Sequence, residues 1–122
     1  MKAAKDVVAS YHAAMGKGDW KGARALLKDD LSFSGPLDTF GRADDYLAAL
    51  QRLHPMIERV DVKGIFSEKD EVVVLCDMHF KPPMPTMYVV EWYRVSGEKI
   101  ARVQVVFDPR PMAAFMASGA PK

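Results

Sequence analysis

The chain has 122 residues, 49% of them hydrophobic and 27% charged, with a net charge of +1. That is enough for one sizeable core and describes an ordinary globular protein, neither disordered nor fibrous. The charge balance and the lack of any clustered Lys/Arg run argue against nucleic-acid binding, and no apolar stretch nears the roughly 20 residues of a membrane span. Cys76 is the only cysteine, which excludes an internal disulfide and a four-thiolate zinc site. The opening MKAAKDVVASYHAAMGKGDW is patterned as a helix, with neither a signal-peptide core nor a cleavage site. One domain over residues 1–122 and a cytoplasmic location are therefore the expectations.

Val7, Val8, Tyr11, Ala14 and Met15 recur at helical spacing and stop at Gly16 and Gly18, which predicts a first amphipathic helix. Asp19 suits the N-cap of a second, because its carboxylate can accept from the free amides of the first turn. Trp20, Ala23, Leu26 and Leu27 then face inward, and the helix is expected to end near Lys28. Leu31 and Phe33 alternate with Ser32 and Ser34, a short strand that Gly35 and Pro36 terminate. After a loop to Gly41, Tyr46, Leu47, Leu50 and Leu53 form one stripe of a third helix. Asp44 and Asp45 lie in its first turn, where the helix dipole favours carboxylates, and Pro55 closes it.

From Val60 onward the period changes from helical to β. Strands are expected at 59–67, 71–81, 86–95 and 99–107, separated by EKD, PPMP and SGE. Helices first and hairpins in series afterwards predict an α+β class: a cone-shaped, curved antiparallel sheet with three N-terminal helices over its concave face. VVVLC and VQVVF are apolar on both faces, so a sheet with helices on one side needs a second covering partner. A homodimer through the convex face of 86–107 is the expectation, with Val89, Tyr93, Ile100 and Val106 pointing outward. DPRPMAAFMASGAPK is expected to form a short helical turn and a loose tail.

This order of elements is carried by SYHAAMGKGDWKGARALLKDDLSFSGP, FGRADDYLAAL and EWYRVSGEKIARVQVVFDPRP. With these segments the chain resembles the nuclear transport factor 2-like superfamily, and within it the SnoaL-like and ketosteroid isomerase-like proteins. The resemblance implies a sheet wrapped around an apolar pocket for a small hydrophobic ligand, without a cofactor. It implies acid/base chemistry of the isomerase, cyclase or hydrolase kind; a non-catalytic ligand-binding or accessory homodimer is the alternative on the same fold. The isomerase's proton-abstracting carboxylate falls on Gly35, which cannot accept a proton. Its two oxyanion-hole donors fall on Tyr11 and on Tyr88, four residues before WYRV. The base of the similar limonene epoxide hydrolase falls on Val105, and its Arg-x-Asp pair on Leu75 and Asp77.

Asp77 and His79 lie two apart on a strand and so share one face. Facing inward they form a carboxylate–imidazole pair, a general base near neutral pH; facing outward they are a solvated or interface pair. With Gly35 and Val105 unable to move a proton, Asp77 and His79 are the expected base, and Tyr11 and Tyr88 the oxyanion donors. Parity carried over from Tyr88 puts Val90 and Trp92 inward as well. Asp38, three residues past Gly35, is expected at the pocket mouth as the next candidate. Trp20, Phe33, Trp92, Val103, Val105 and Phe107 are core by default, and at matching positions they line the cavity. His12, one residue off the stripe of its helix, and His54, at a helix end, read as structural. No paired ligand spacing joins His12, His54, Cys76, Asp77 and His79, so no metal is expected.

Overall fold

The computed structural model describes residues 2–118. The elements follow as α1 (Ala4–Gly16), α2 (Trp20–Ala25), β1 (Leu27–Ser34), β2 (Thr39–Phe40), α3 (Ala43–Leu53), a 3-10 turn (His54–Met56), β3 (Ile57–Glu68), β4 (Glu71–Phe80), β5 (Met87–Ser96), β6 (Lys99–Val106) and α4 (Arg110–Ala117). Asp19 caps α2 as its residue type predicts, accepting from the Gly22 amide at 2.9 Å. The helix is shorter than expected and β1 starts earlier. Leu27 and Leu31, four apart and both fully buried, satisfy the helical and the strand period alike. Pairing with β6 selects the strand: Ile100 donates its amide to the Leu26 carbonyl at 2.8 Å, and Leu27 stands opposite Ile100.

The sheet is open and mixed, in the order β2-β1-β6-β5-β4-β3. Every neighbouring pair is antiparallel except β1 and β6, which run parallel. The helices cover one face, and the described residues bury two apolar clusters there, the first under α1 to α3 and the second between the sheet, the end of α3 and α4. The first joins Val7, Val8 and Tyr11 of α1, Tyr46 and Leu47 of α3, and the Val72, Val74, Tyr93, Ile100 and Val103 side of the sheet. The second is built on Cys76, Phe80, Met84, Met87 and Val89. Val105 packs against both.

The inward face of β5 is the reverse of the one expected. Met87 stands opposite Met78, Val89 opposite Cys76 and Tyr93 opposite Val72, so the odd-numbered residues point toward the helices. Met84 is buried in the loop before β5, which fixes this register. Val89, Tyr93 and Ile100 are therefore core residues rather than outward ones, while Val106 is outward and 57% exposed. The C-terminal segment forms a two-turn helix, α4, anchored at its start by Asp108, whose carboxylate accepts from the Arg110 amide at 3.0 Å and from its guanidinium. The tail expected after it lies outside the described residues.

Candidate functional site

On β5 the inward positions read Met87, Val89, Glu91, Tyr93 and Val95. Glu91 places a carboxylate in the middle of an otherwise apolar row, and among the described residues no other carboxylate stands on the inward face of β4, β5 or β6. Its cross-strand neighbours are Val74 on β4 and Val105 on β6. Those three residues mark the seam between the two apolar clusters. A carboxylate there must be hydrogen-bonded to be tolerated. Tyr93 donates its hydroxyl to Glu91 Oε1 at 2.8 Å, and His12 Nε2 lies 3.0 Å from the same oxygen and 2.9 Å from the Tyr93 hydroxyl.

This closed triangle fixes the imidazole tautomer. The single Tyr93 proton goes to Glu91, so Nε2 must carry the proton that faces both oxygens, leaving His12 Nδ1 turned away from the triangle. The side chains of Glu91 and His12 keep 15% and 27% of their surface open. Glu91 Oε2 accepts no hydrogen bond from any described residue. The site thus pairs a carboxylate oxygen that accepts no bond from the described residues with one held in place by two donors.

Beside it, Tyr11 and Tyr46 share a hydroxyl–hydroxyl bond of 2.8 Å, and the Tyr11 ring meets Tyr93 edge-on at 6.0 Å. Burial raises all three phenols above their ordinary range, Tyr93 with the negative Glu91 as the next cause and Tyr11 with Tyr46. They are proton donors, not bases, throughout the neutral range. Burial likewise pushes the Cys76 thiol up to about 12, which leaves it without thiolate character near pH 7.

Asp77 and His79 do not form a pair and do not face the helices. Both lie on the outward side of β4: Asp77 meets Lys63 at 3.4 Å, and His79 Nε2 meets Asp61 at 2.8 Å with Thr86 on its other nitrogen at 2.9 Å. Inward alternation from Val72, Val74 and Cys76 puts 77 and 79 on the opposite side. Tyr88 and Trp92 share that outer face, 54% and 39% exposed. The Tyr88 hydroxyl is therefore not a partner of Tyr11. Trp92 donates to Glu71 and lies under Arg102, 5.1 Å from its ring centre. Asp38 is exposed in the β1–β2 turn, where its carbonyl accepts from the Gly35 amide at 3.0 Å.

The remaining expected lining residues are inward. Val103 is fully buried in the first cluster, with Phe33 and Trp20 packed against it, and Phe107 packs against the second. Phe33 also stacks on Tyr46 at 4.8 Å, and Trp20 meets His54 edge-on at 5.2 Å. A Cβ at Gly35 would stand 3.1 Å from the Phe33 ring, so the ring must shift by a few tenths of an ångström to admit a side chain there. Sequence reasoning missed Glu91 and Tyr93 because the assumed parity of β5 was reversed; a lone charge inside an alternating apolar row was the available signal. Tyr46 was visible only as a stripe residue of α3.

Two surface grooves of about 370 and 410 Å³ lie elsewhere, over Arg24, Asp29, Asp30 and Asp44, and over Lys28 and Lys99. They are open, charged and organised by Arg24, which bridges Asp29 at 2.7 Å and Asp44 at 2.8 Å. No buried group faces them, and solvent-exposed pairs of this kind contribute little. Among the described residues no three metal-ligating side chains converge, and no helix is long and apolar enough to cross a membrane.

The open curved sheet under helices is the fold of the nuclear transport factor 2-like superfamily. Solved structures similar to it include a protein from Kribbella flavida (TM-score 0.84, 18% identity, 93% of each chain covered). A nuclear transport factor 2-like protein of unknown function from Cytophaga hutchinsonii gives a TM-score of 0.79 at 21% identity, covering 93% of this chain and 96% of that one. An epoxide hydrolase from M. tuberculosis, described as LEH-like, gives 0.75 at 18% identity, covering 95% and 90%. No curated protein sequence matches the chain. The model of the SnoaL-like domain family matches residues 8–103, and the chain belongs to that family.

Proposed function

We propose that the protein binds a small hydrophobic molecule at the seam between its two apolar clusters and performs acid/base chemistry on it, of the isomerase, cyclase or hydrolase kind, with Glu91 as the base. The observation that carries this reading is the inward Glu91 carboxylate, held by Tyr93 and His12 through Oε1 while Oε2 accepts no hydrogen bond from the described residues. A carboxylate fixed through one oxygen, with the other left without a protein partner, is suited to take a proton from a carbon acid or a water. His12 and Tyr93 steady the charge during transfer, and the apolar walls keep water from competing. Gly35, which carries no side chain, takes no part in proton transfer.

The alternative is a ligand-binding module without turnover. It is favoured by one observation: one of the Tyr11 and Tyr46 hydroxyls donates to the other, so only one of their two protons is left to meet an oxyanion. Exchange of acidic C–H protons in D2O, followed by NMR on a panel of cyclic and linear ketones, separates the two. Acceleration by the wild-type protein that is lost in Glu91→Gln supports the catalytic reading. Binding without acceleration leaves the module.

The outer face of the sheet is proposed as the contact with a second copy of the chain. Phe66, Tyr88, Trp92 and Val106 are all exposed there, with Val73, Leu75 and Val90 between them. The Leu75–Val90–Val106 row, with Val73 and Trp92 beside it, is a partly exposed apolar stretch among the charged Glu71, Asp77, Arg94 and Arg102 of the same face, and such a stretch suits a partner surface.

A further inference from the structure

The second cluster is lined by an unusual set of side chains. Met56, Met78, Met84, Met87 and Met112 all belong to it, five of the eight methionines of the chain. Methionine is flexible and polarizable, so a volume lined by it adapts its shape to what it holds. Leu53, Ile57, Phe80, Val89 and Phe107 of the same cluster are apolar as well. The cluster touches the Glu91 seam through Val105 and Val89. At its other side, Val60 and Val62 of β3 stand opposite Met78 and Cys76 on the inward face, yet are 45% and 49% exposed. The helices stop short of β3, and an apolar strip leads from solvent into the cluster.

Part of this volume is filled by α4, which enters it through Met112 and Phe115. The helix buries no residue fully, and its side-chain hydrogen bonds among the described residues stay between Asp108 and Ser118. Two flexible apolar contacts hold it against the cluster, so an apolar ligand offering equal contact can replace them.

We infer that the ligand of the Glu91 site is a linear, flexible apolar chain with a polar head, its head at Glu91 and its chain in the methionine-lined cluster, in the place now taken by Met112 and Phe115. The inference rests on the reading of Glu91 as the centre of the site.

The test uses the full chain and a homologous series of linear methyl ketones from hexanone to dodecanone, with affinity measured by calorimetry and α4 followed by amide hydrogen exchange. Affinity is expected to rise about threefold to fourfold for each methylene buried, and α4 amides to exchange at least about tenfold faster at saturation. Met112→Ala combined with Phe115→Ala is expected to tighten binding of the longer ketones, because no side chain has to leave. Affinity flat across the series, no binding at any length, or α4 protection unchanged at saturation overturns the inference, and so does weaker binding in the double variant. Glu91→Gln keeps the chain-length dependence in either case. A series that behaves as expected without any Glu91-dependent proton exchange overturns the base and leaves the chain site standing.

Discussion

Glu91 and Val105 face each other across the β5–β6 ladder on the inward side of the sheet. Val105 is the residue on which the resemblance to limonene epoxide hydrolase led one to expect that enzyme's base to fall, and the Glu91 carboxylate stands one strand away at the same height. Glu91→Gln keeps the shape of the side chain and removes its basicity. Catalysed C–H exchange should fall on the order of 10²–10⁴-fold, with the fold retained by circular dichroism. Undiminished exchange in a folded variant would remove Glu91 from the mechanism.

The Tyr11–Tyr46 pair should behave as a coupled unit. Changing either to Phe leaves the other hydroxyl buried without a partner, at a cost of about 1–3 kcal/mol in denaturant unfolding. Replacing both removes the orphan, so the double variant should lose less than the two single losses added together. Strict additivity would mean that the 2.8 Å contact contributes nothing to stability.

Gly35→Asp puts a carboxyl at the position where the resemblance to ketosteroid isomerases led one to expect a base, and brings it against the Phe33 ring. Phe33 is stacked on Tyr46 and has little room to yield. The variant should be destabilised by about 1–3 kcal/mol and gain no proton-exchange activity. A stable, more active Gly35→Asp protein would locate the reacting carbon beside β1 instead of β5.

Trp92→Glu or Val106→Asp places a charge on the exposed outer face without touching the inward row. Sedimentation should report a homodimer for the wild type and a monomer for each variant, with Glu91-dependent exchange retained. A monomeric wild type at micromolar concentration would dismiss the paired assembly.

Asp108 accepts from the Arg110 side chain and amide, which lowers its carboxyl to about 2. A carboxyl depressed in the folded state contributes stability above its unfolded value of 3.8, lost as the pH falls through about 2. The start of α4 should therefore loosen between those two values, seen as faster exchange of its amides. Asp108→Asn should abolish that acid-dependent step. An unchanged profile would show that α4 is held by Met112 and Phe115 alone.

The helices and the hairpins were legible in the sequence because each rests on local periodicity: the Tyr11 and Tyr46 stripes, the Asp19 cap and the alternating runs after Val60; the superfamily was legible only through the resemblance of particular segments. The site was not, because it depends on which way one strand faces. Tyr88 and Trp92 carry as much apolar surface as Val89 and Tyr93, so composition alone allows either parity. Burial of Met84 and Met87 beside the turn decides it, and with it the inward Glu91 and the outward His79. The β1 boundary slipped for a related reason, since Leu27 and Leu31 fit two periods at once.

The parallel pairing of β1 with β6 binds an early strand to the last one. During synthesis, α1, α2 and β1 leave the ribosome long before the partner they need, with Val7, Val8, Leu27 and Leu31 uncovered in the meantime. Contacts so distant along the chain form late and slowly. The nascent protein therefore passes through a period in which its helical half is made but not closed, and it is then that a holding chaperone would find the most surface to bind.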